Sequence, residues 1–151
     1  MQEGMYFSRL GFEDVDVILA IEEKVYSHPW TRGNFLDSLY SAYHFLGLRD
    51  ADQTLIGYVV LMPVMDEMHL LNLAVAAVYQ RQGYAQSLLE QMLAFCREKK
   101  CQSILLEVRV SNRRAVDVYQ RFGFNEIGRR KGYYPAEDQT REDAIVMRLE
   151  L

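Results

Sequence analysis

Residues 71–85 constrain this chain more than any other stretch. The apolar run Leu71-Asn72-Leu73-Ala74-Val75 reads as a strand. After a short turn, Gln80-Arg81-Gln82-Gly83-Tyr84-Ala85 reads as a glycine-containing loop that opens a helix. A helix N-terminus presents backbone N–H groups with no partner inside the helix, together with the positive end of the helix dipole, so such a junction suits a phosphate. Gly83 lets the backbone approach an anion with no Cβ in the way. Neither the dinucleotide-binding glycine spacing nor the P-loop spacing is present. The pattern is Gln-x-x-Gly-x-Ala, and its bland explanation is an ordinary helix start.

At 151 residues the chain has the length of one domain, long enough to bury roughly 70% of its unfolded surface. Half of it is apolar and a quarter charged, a globular composition. No apolar run is long enough to span a membrane. The first residues, MQEGMYFSRL, lack the basic segment and long apolar run of a secretory leader. The expected setting is therefore cytoplasmic, with no membrane partner. The net charge of −4 argues against broad nucleic-acid binding and favours a basic partner. Cys96 and Cys101 are not in a Cys-x-x-Cys motif and are expected to stay reduced, with Cys96 packed on the apolar face of a helix. His28, His44 and His69 are scattered, so no metal site is expected. The basic clusters Arg113-Arg114 and Arg129-Arg130-Lys131 are either solvated faces or contacts for a cofactor phosphate.

The rest of the chain alternates strand and helix signals. Residues 5–10 read as a strand and residues 12–26 as a helix, with Val15, Ile18, Leu19, Glu22 and Val25 at helical spacing. The turn Ser27-His28-Pro29-Trp30 breaks it, and Thr31 can cap a second helix. Residues 43–49 and 54–62 read as strands, the second closed by Pro63. Residues 68–75 form a strand apolar on both faces, which predicts a central position. A helix from Ala85 carries the stripe Leu88, Leu89, Met92, Leu93 and Cys96 and ends at Lys99-Lys100. Residues 103–110 form a strand, and residues 113–122 a helix stopped by Gly123. Residues 124–130 and 144–151 form the last strands, joined by the polar segment 131–141. The order β-α-α-β-β-β-α-β-α-β-β predicts an α+β (α/β three-layer) domain with a mixed central sheet flanked by helices.

Three residues stand out for chemistry. Strand alternation sets Leu105, Glu107 and Arg109 on one face, and Ile104, Leu106, Val108 and Val110 on the other. Glu107 is then either paired with Arg109 on a wet face or a general base whose pKa desolvation raises. Tyr119 is either a core tyrosine using its hydroxyl locally or a phenol that protonates a leaving thiolate. Asn112 is either an N-cap or a hydrogen-bonding partner for a bound cofactor.

The loop Gln80-x-x-Gly83-x-Ala85 resembles the pyrophosphate loop of the GCN5-related N-acetyltransferases (GNAT superfamily), and the element order resembles their fold along nearly the whole chain. Residues 106–124, Gly132-Tyr133-Tyr134-Pro135, Arg141-Glu142-Asp143-Ala144, the His28-Pro29-Trp30 turn and residues 72–75 together resemble one subfamily. It comprises the bacterial N-terminal alanine acetyltransferases of the RimI type, which modify a small-subunit ribosomal protein, S-eighteen. The resemblance implies acetyl-CoA as co-substrate, no metal, and the N-terminus of a basic ribosomal protein as partner. It further implies Glu107 as base and Tyr119 as acid. Leu73, Ala74 and Val75 would offer backbone groups to the acetyl and pantetheine portion, and Gln80, Arg81, Gln82, Gly83, Tyr84, Ala85 and Asn112 would bind the cofactor. Pro29, Trp30, Tyr133 and Tyr134 would line the peptide site. Ala85 stands where many relatives have glycine, a tolerated change.

The expected reaction is direct attack of an α-amine on the thioester, since neither cysteine sits in an activating motif. Two other readings stay open from the sequence. One is a GNAT acting on lysine side chains or small amines; the other is a non-catalytic acyl-CoA-binding module.

Overall fold

A computed structural model describes residues 3–151; Met1 and Gln2, the start of the segment read above for a leader, lie outside the described residues. The elements are β1 (Tyr6–Arg9), α1 (Val15–Val25), α2 (Arg32–Tyr40), β2 (His44–Arg49), β3 (Leu55–Val64), β4 (Glu67–Val75), α3 (Tyr84–Glu98), β5 (Ser103–Arg109), α4 (Arg113–Phe122), β6 (Asn125–Pro135) and β7 (Arg141–Glu150). The order is the one the sequence predicts. The strands form one mixed sheet in the order β1-β2-β3-β4-β5-β7-β6. β4 is the fourth of seven strands, as its two apolar faces imply. It runs parallel to β5, in register from Glu67↔Ser103 to Leu70↔Leu106, while β5/β7 and β6/β7 are antiparallel.

The described residues fall into two compact units. One comprises the chain up to Met62 together with Leu71–Phe95; the other comprises Pro63–Leu70 and Cys96–Leu151. The core of the first gathers Val15, Ile18 and Ile21 of α1, Phe35 of α2, Phe45 of β2, and Tyr58 and Val60 of β3. In the second, Ile104, Leu106, Val108, Phe124, Ala144 and Met147 are buried. The alternation read for β5 is observed: Ile104, Leu106 and Val108 are buried and Leu105, Glu107 and Arg109 half-buried.

Local chemistry explains the boundaries. Gly11 N–H donates to Asp14 Oδ2 at 2.9 Å, so the turn Phe12–Asp14 is a tighter 3-10 turn and α1 starts at Val15 rather than residue 12. Thr31 caps α2 as expected: its Oγ1 accepts from Asn34 N at 3.1 Å, and Asn34 Oδ1 accepts from Thr31 N. Gly123 stops α4 with φ +123°.

Two expectations are corrected. Pro63 does not close β3, which continues to Val64. β2 pairs with β3 only as far as His44↔Leu61, so Pro63 lies beyond β2 and its missing N–H disrupts no bond there. The polar linker of residues 131–141 is largely strand. β6 extends to Pro135 and β7 begins at Arg141, with Tyr134↔Glu142 and Pro135↔Arg141 paired across a register shift after Arg130. The cause is a set of polar ties from β7 described below, which no alternation of apolar residues announces.

Candidate active site

In the first unit, the residues expected to meet an anion lie at the junction between β4 and α3. Gln80 Nε2 donates to Val75 O at 3.0 Å, and Gln82 Nε2 donates to Val78 O at 3.2 Å. Arg81 takes φ +63° and Gly83 φ +88°. This left-handed pair turns the chain sharply into the helix, where Ser87 N–H bonds Gly83 O. A Cβ built on Gly83 meets nothing within 4 Å, so the space above the loop is open to an anion. Tyr84 differs from its neighbours. Its side chain is buried and packs edge-on to Tyr79, ring centroids 6.1 Å apart, leaving its backbone as the part that can meet a ligand. On β4, Leu73 O accepts from Tyr26 Oη, and Ala74 and Val75 are buried.

The turn carrying Pro29 and Trp30 lies in the same unit. The Trp30 ring packs on Phe35, centroids 5.1 Å apart, and Pro29 is exposed. Trp30 N–H donates to Glu22 Oε2 at 2.9 Å. Glu22, which the sequence reading placed only as one member of a helical stripe, holds this turn. It is 1% exposed and its Oε1 also accepts from Tyr58 Oη at 2.5 Å and Asn72 Nδ2 at 2.9 Å. The available signal was a carboxylate at a core-facing position of α1, one that needs partners.

In the second unit, Glu107 does not pair with Arg109. Its Oε1 lies 3.5 Å from Arg130 Nε, with the Glu107 side chain 23% exposed. The Glu107 carboxylate beside the Tyr133 hydroxyl raises the Tyr133 pKa. Arg109 turns to Glu142 instead, at 3.0 Å, and to Pro135 O at 2.8 Å. Each arginine also covers a tyrosine ring: Arg130 over Tyr133 at 5.2 Å and Arg109 over Tyr134 at 4.5 Å. Arg130 is thus engaged with Glu107 and Tyr133, which speaks for the bland reading of its basic cluster.

The Arg141-Glu142-Asp143 segment sets the paired tyrosines. Arg141 Nε and Nη2 donate to Gly132 O and Tyr133 O, both at 2.9 Å. Asp143 Oδ1 accepts from Gly132 N at 2.8 Å. Gly132, at φ +62°, makes the bulge in β6 that turns Tyr133 and Tyr134 toward the Glu107 face.

Asn112 caps α4, its Oδ1 accepting from Ala115 N at 3.2 Å. Tyr119 on α4 is half-buried and lies edge-on to Phe124, centroids 5.8 Å apart. Its hydroxyl has no hydrogen-bond partner among the described residues, and burial pushes its pKa up to about 12. Burial also pushes the Cys96 thiol up to about 12, reinforced by Cys101 beside it. Among the described residues, no three His, Cys, Asp or Glu side chains gather as metal ligands.

This chain belongs to the GNAT family of acetyltransferases, whose profile matches residues 15–124; members use acetyl-CoA as acyl donor. It is 35% identical to the [ribosomal protein bS18]-alanine N-acetyltransferase of Haemophilus ducreyi over 139 residues, covering 92% of this chain and 95% of that one. It is 34% identical to the Escherichia coli enzyme of the same name over 142 residues, covering 94% and 95%. The crystal structure of the E. coli enzyme superposes with a TM-score of 0.90, covering 97% of this chain and 93% of the other.

Proposed function

We propose that this chain is a single acetyltransferase domain, residues 1–151, that moves acetyl from acetyl-CoA to the α-amine of an N-terminal alanine. Its substrate is the small-subunit ribosomal protein bS18. The observation that carries the reading is the whole-length similarity to enzymes of that specificity, 35% identity across 92% of the chain. The setting is the cytoplasm, with no nucleic acid or membrane as partner. Among the described residues, no helix is long and apolar enough to cross a membrane.

In this reading Leu73, Ala74 and Val75 offer backbone groups to the acetyl and pantetheine portion. Gln80, Arg81, Gln82, Gly83, Ala85 and the Tyr84 backbone bind the pyrophosphate, and the Asn112 amide meets the pantetheine arm. Pro29, Trp30, Tyr133 and Tyr134 line the peptide site. An α-amine titrates near ~7.7–8.0, so a modest base suffices to deliver it neutral. Glu107 takes its proton, directly or through a water. The nitrogen forms the new amide bond as the C–S bond breaks. Backbone N–H groups of residues 73–75 stabilise the oxyanion. Tyr119, protonated at neutral pH, gives its proton to the departing thiolate. An acyl intermediate on Cys96 is disfavoured, because a thiol near pKa 12 is scarcely ionised at pH 7.

The test is mass spectrometry of peptides incubated with enzyme and acetyl-CoA. A basic peptide with a free N-terminal alanine should gain one acetyl group on its α-amine. The same peptide with a blocked N-terminus and internal lysines should gain none. Glu107→Gln should lower turnover roughly 10²–10⁴-fold, with the deficit shrinking at high pH where the amine is already neutral. Equal acetylation of blocked peptides would instead support a lysine acetyltransferase.

A further inference from the structure

Glu22 is a buried carboxylate that the proposed chemistry leaves unused. Both its oxygens accept, and the three donors come from three separate places: Tyr58 of β3, Asn72 of β4, and the backbone of Trp30 in the turn after α1. A carboxylate this far from water costs more to bury than an apolar side chain of similar size, so core stability alone does not account for it. Two of its donors are side chains that apolar groups could replace. The third is a main-chain N–H in an irregular turn, and that group has to be satisfied.

The turn's residues are in neither helix nor strand; the Trp30 ring packs on Phe35 and against the core of the first unit, and Ser27 and His28 share a hydrogen bond of 3.2 Å. At the end of α1, Tyr26 donates through its hydroxyl to Leu73 O. Two ties, Glu22 to Trp30 and Tyr26 to Leu73, therefore flank the turn. Through Asn72 and Leu73 both end on adjacent residues of β4.

We propose that Glu22 is a positioning residue: its carboxylate tethers the Trp30 turn to Asn72 of β4 and thereby sets where a peptide substrate lies. The inference rests on the reading of that turn as peptide-binding. Burial first, and the Glu22 charge second, drive the Tyr58 pKa far up, so Tyr58 remains a donor at every working pH. A glutamine at position 22 has one accepting end and no charge. It cannot reproduce three charge-assisted bonds.

The experiment combines kinetics with the single tryptophan of the chain, which is Trp30 itself. Glu22→Gln should raise the peptide KM about tenfold or more while kcat stays within about threefold, as expected when binding geometry rather than chemistry is lost. Its acetyl-CoA affinity should stay within about twofold, since the uniform loss falls on the peptide side. Trp30 emission should shift to the red and become easier to quench with acrylamide. Tyr58→Phe, which removes one donor and keeps the ring, should move the same readouts less. In the unaltered protein the Trp30 amide should exchange slowly with solvent.

Fast exchange at Trp30 would overturn the tether. So would a Glu22→Gln protein with a lowered melting temperature but unchanged peptide KM and emission, because that is a purely structural residue. If Glu22→Gln does not fold, Tyr58→Phe and the amide exchange of the unaltered protein decide the matter. If the unaltered enzyme leaves alanine peptides unacetylated, the substrate reading falls, while emission and exchange still test the tether.

Discussion

Tyr58 and Tyr119 carry the same phenol and face opposite situations. The Tyr58 hydroxyl is spent on Glu22, whereas that of the half-buried Tyr119 has no hydrogen-bond partner among the described residues and is held protonated to about pH 12. Tyr119→Phe keeps the ring on Phe124 and removes only that hydroxyl. The melting temperature should change little, since no hydrogen bond is lost, while kcat should fall about 10²-fold. If turnover is retained in a folded protein, Tyr119 leaves the mechanism. Glu107 illustrates what one strand cannot reveal. Alternation assigned its face, but Arg130 and Tyr133, its partners, come from β6 and lie more than twenty positions away in the chain.

At the scale of elements, the β4–loop–α3 unit is the best-defined part of the proposed cofactor site. Its left-handed residues, Arg81 and Gly83, shape the turn, and the side chains of Gln80 and Gln82 fasten it to carbonyls just upstream. Gly83→Ala adds a Cβ to open space at the cost of a left-handed alanine, so it should mainly lower stability, by about 1 kcal/mol. Gly83→Asp adds a negative charge where a pyrophosphate would lie. It should weaken acetyl-CoA binding by at least about tenfold beyond the alanine variant. Calorimetry on the folded variants measures the difference, and equal affinities would remove the loop from the phosphate site. The β6–β7 pair shows the other extreme: Gly132, Arg141 and Asp143 build a strand from a polar stretch that reads as a linker.

Across the molecule, the response to acid follows from the same polar ties. Hydrogen bonds from Ser111 first, and then from Arg109, hold Glu142 below the usual carboxylate range. A lowered folded-state pKa stabilises the fold at neutral pH, and that contribution disappears as pH falls through the folded value. Glu142→Gln should therefore lower the melting temperature at pH 7. The gap to the unaltered protein should begin to narrow as pH falls through about 4, where the unfolded carboxyl group takes up its proton first, and close at a pH below the folded value. Melting curves at the two pH values check it, and a gap that stays constant would show that the pair is not linked to protonation. The order of strands and helices, the central place of β4 and the loop before α3 were legible in the sequence, because hydrophobic period, caps and glycines act over a few residues. Only the tertiary structure decided that Glu22 gathers three donors, that Glu107 takes Arg130 and Tyr133 rather than Arg109, and that residues 131–135 are strand. Each of those outcomes is a choice among hydrogen-bond partners distant in sequence. Composition and spacing carry information about burial and local turns, whereas the pairing of buried polar groups is settled by which donors the folded chain brings within about 3 Å.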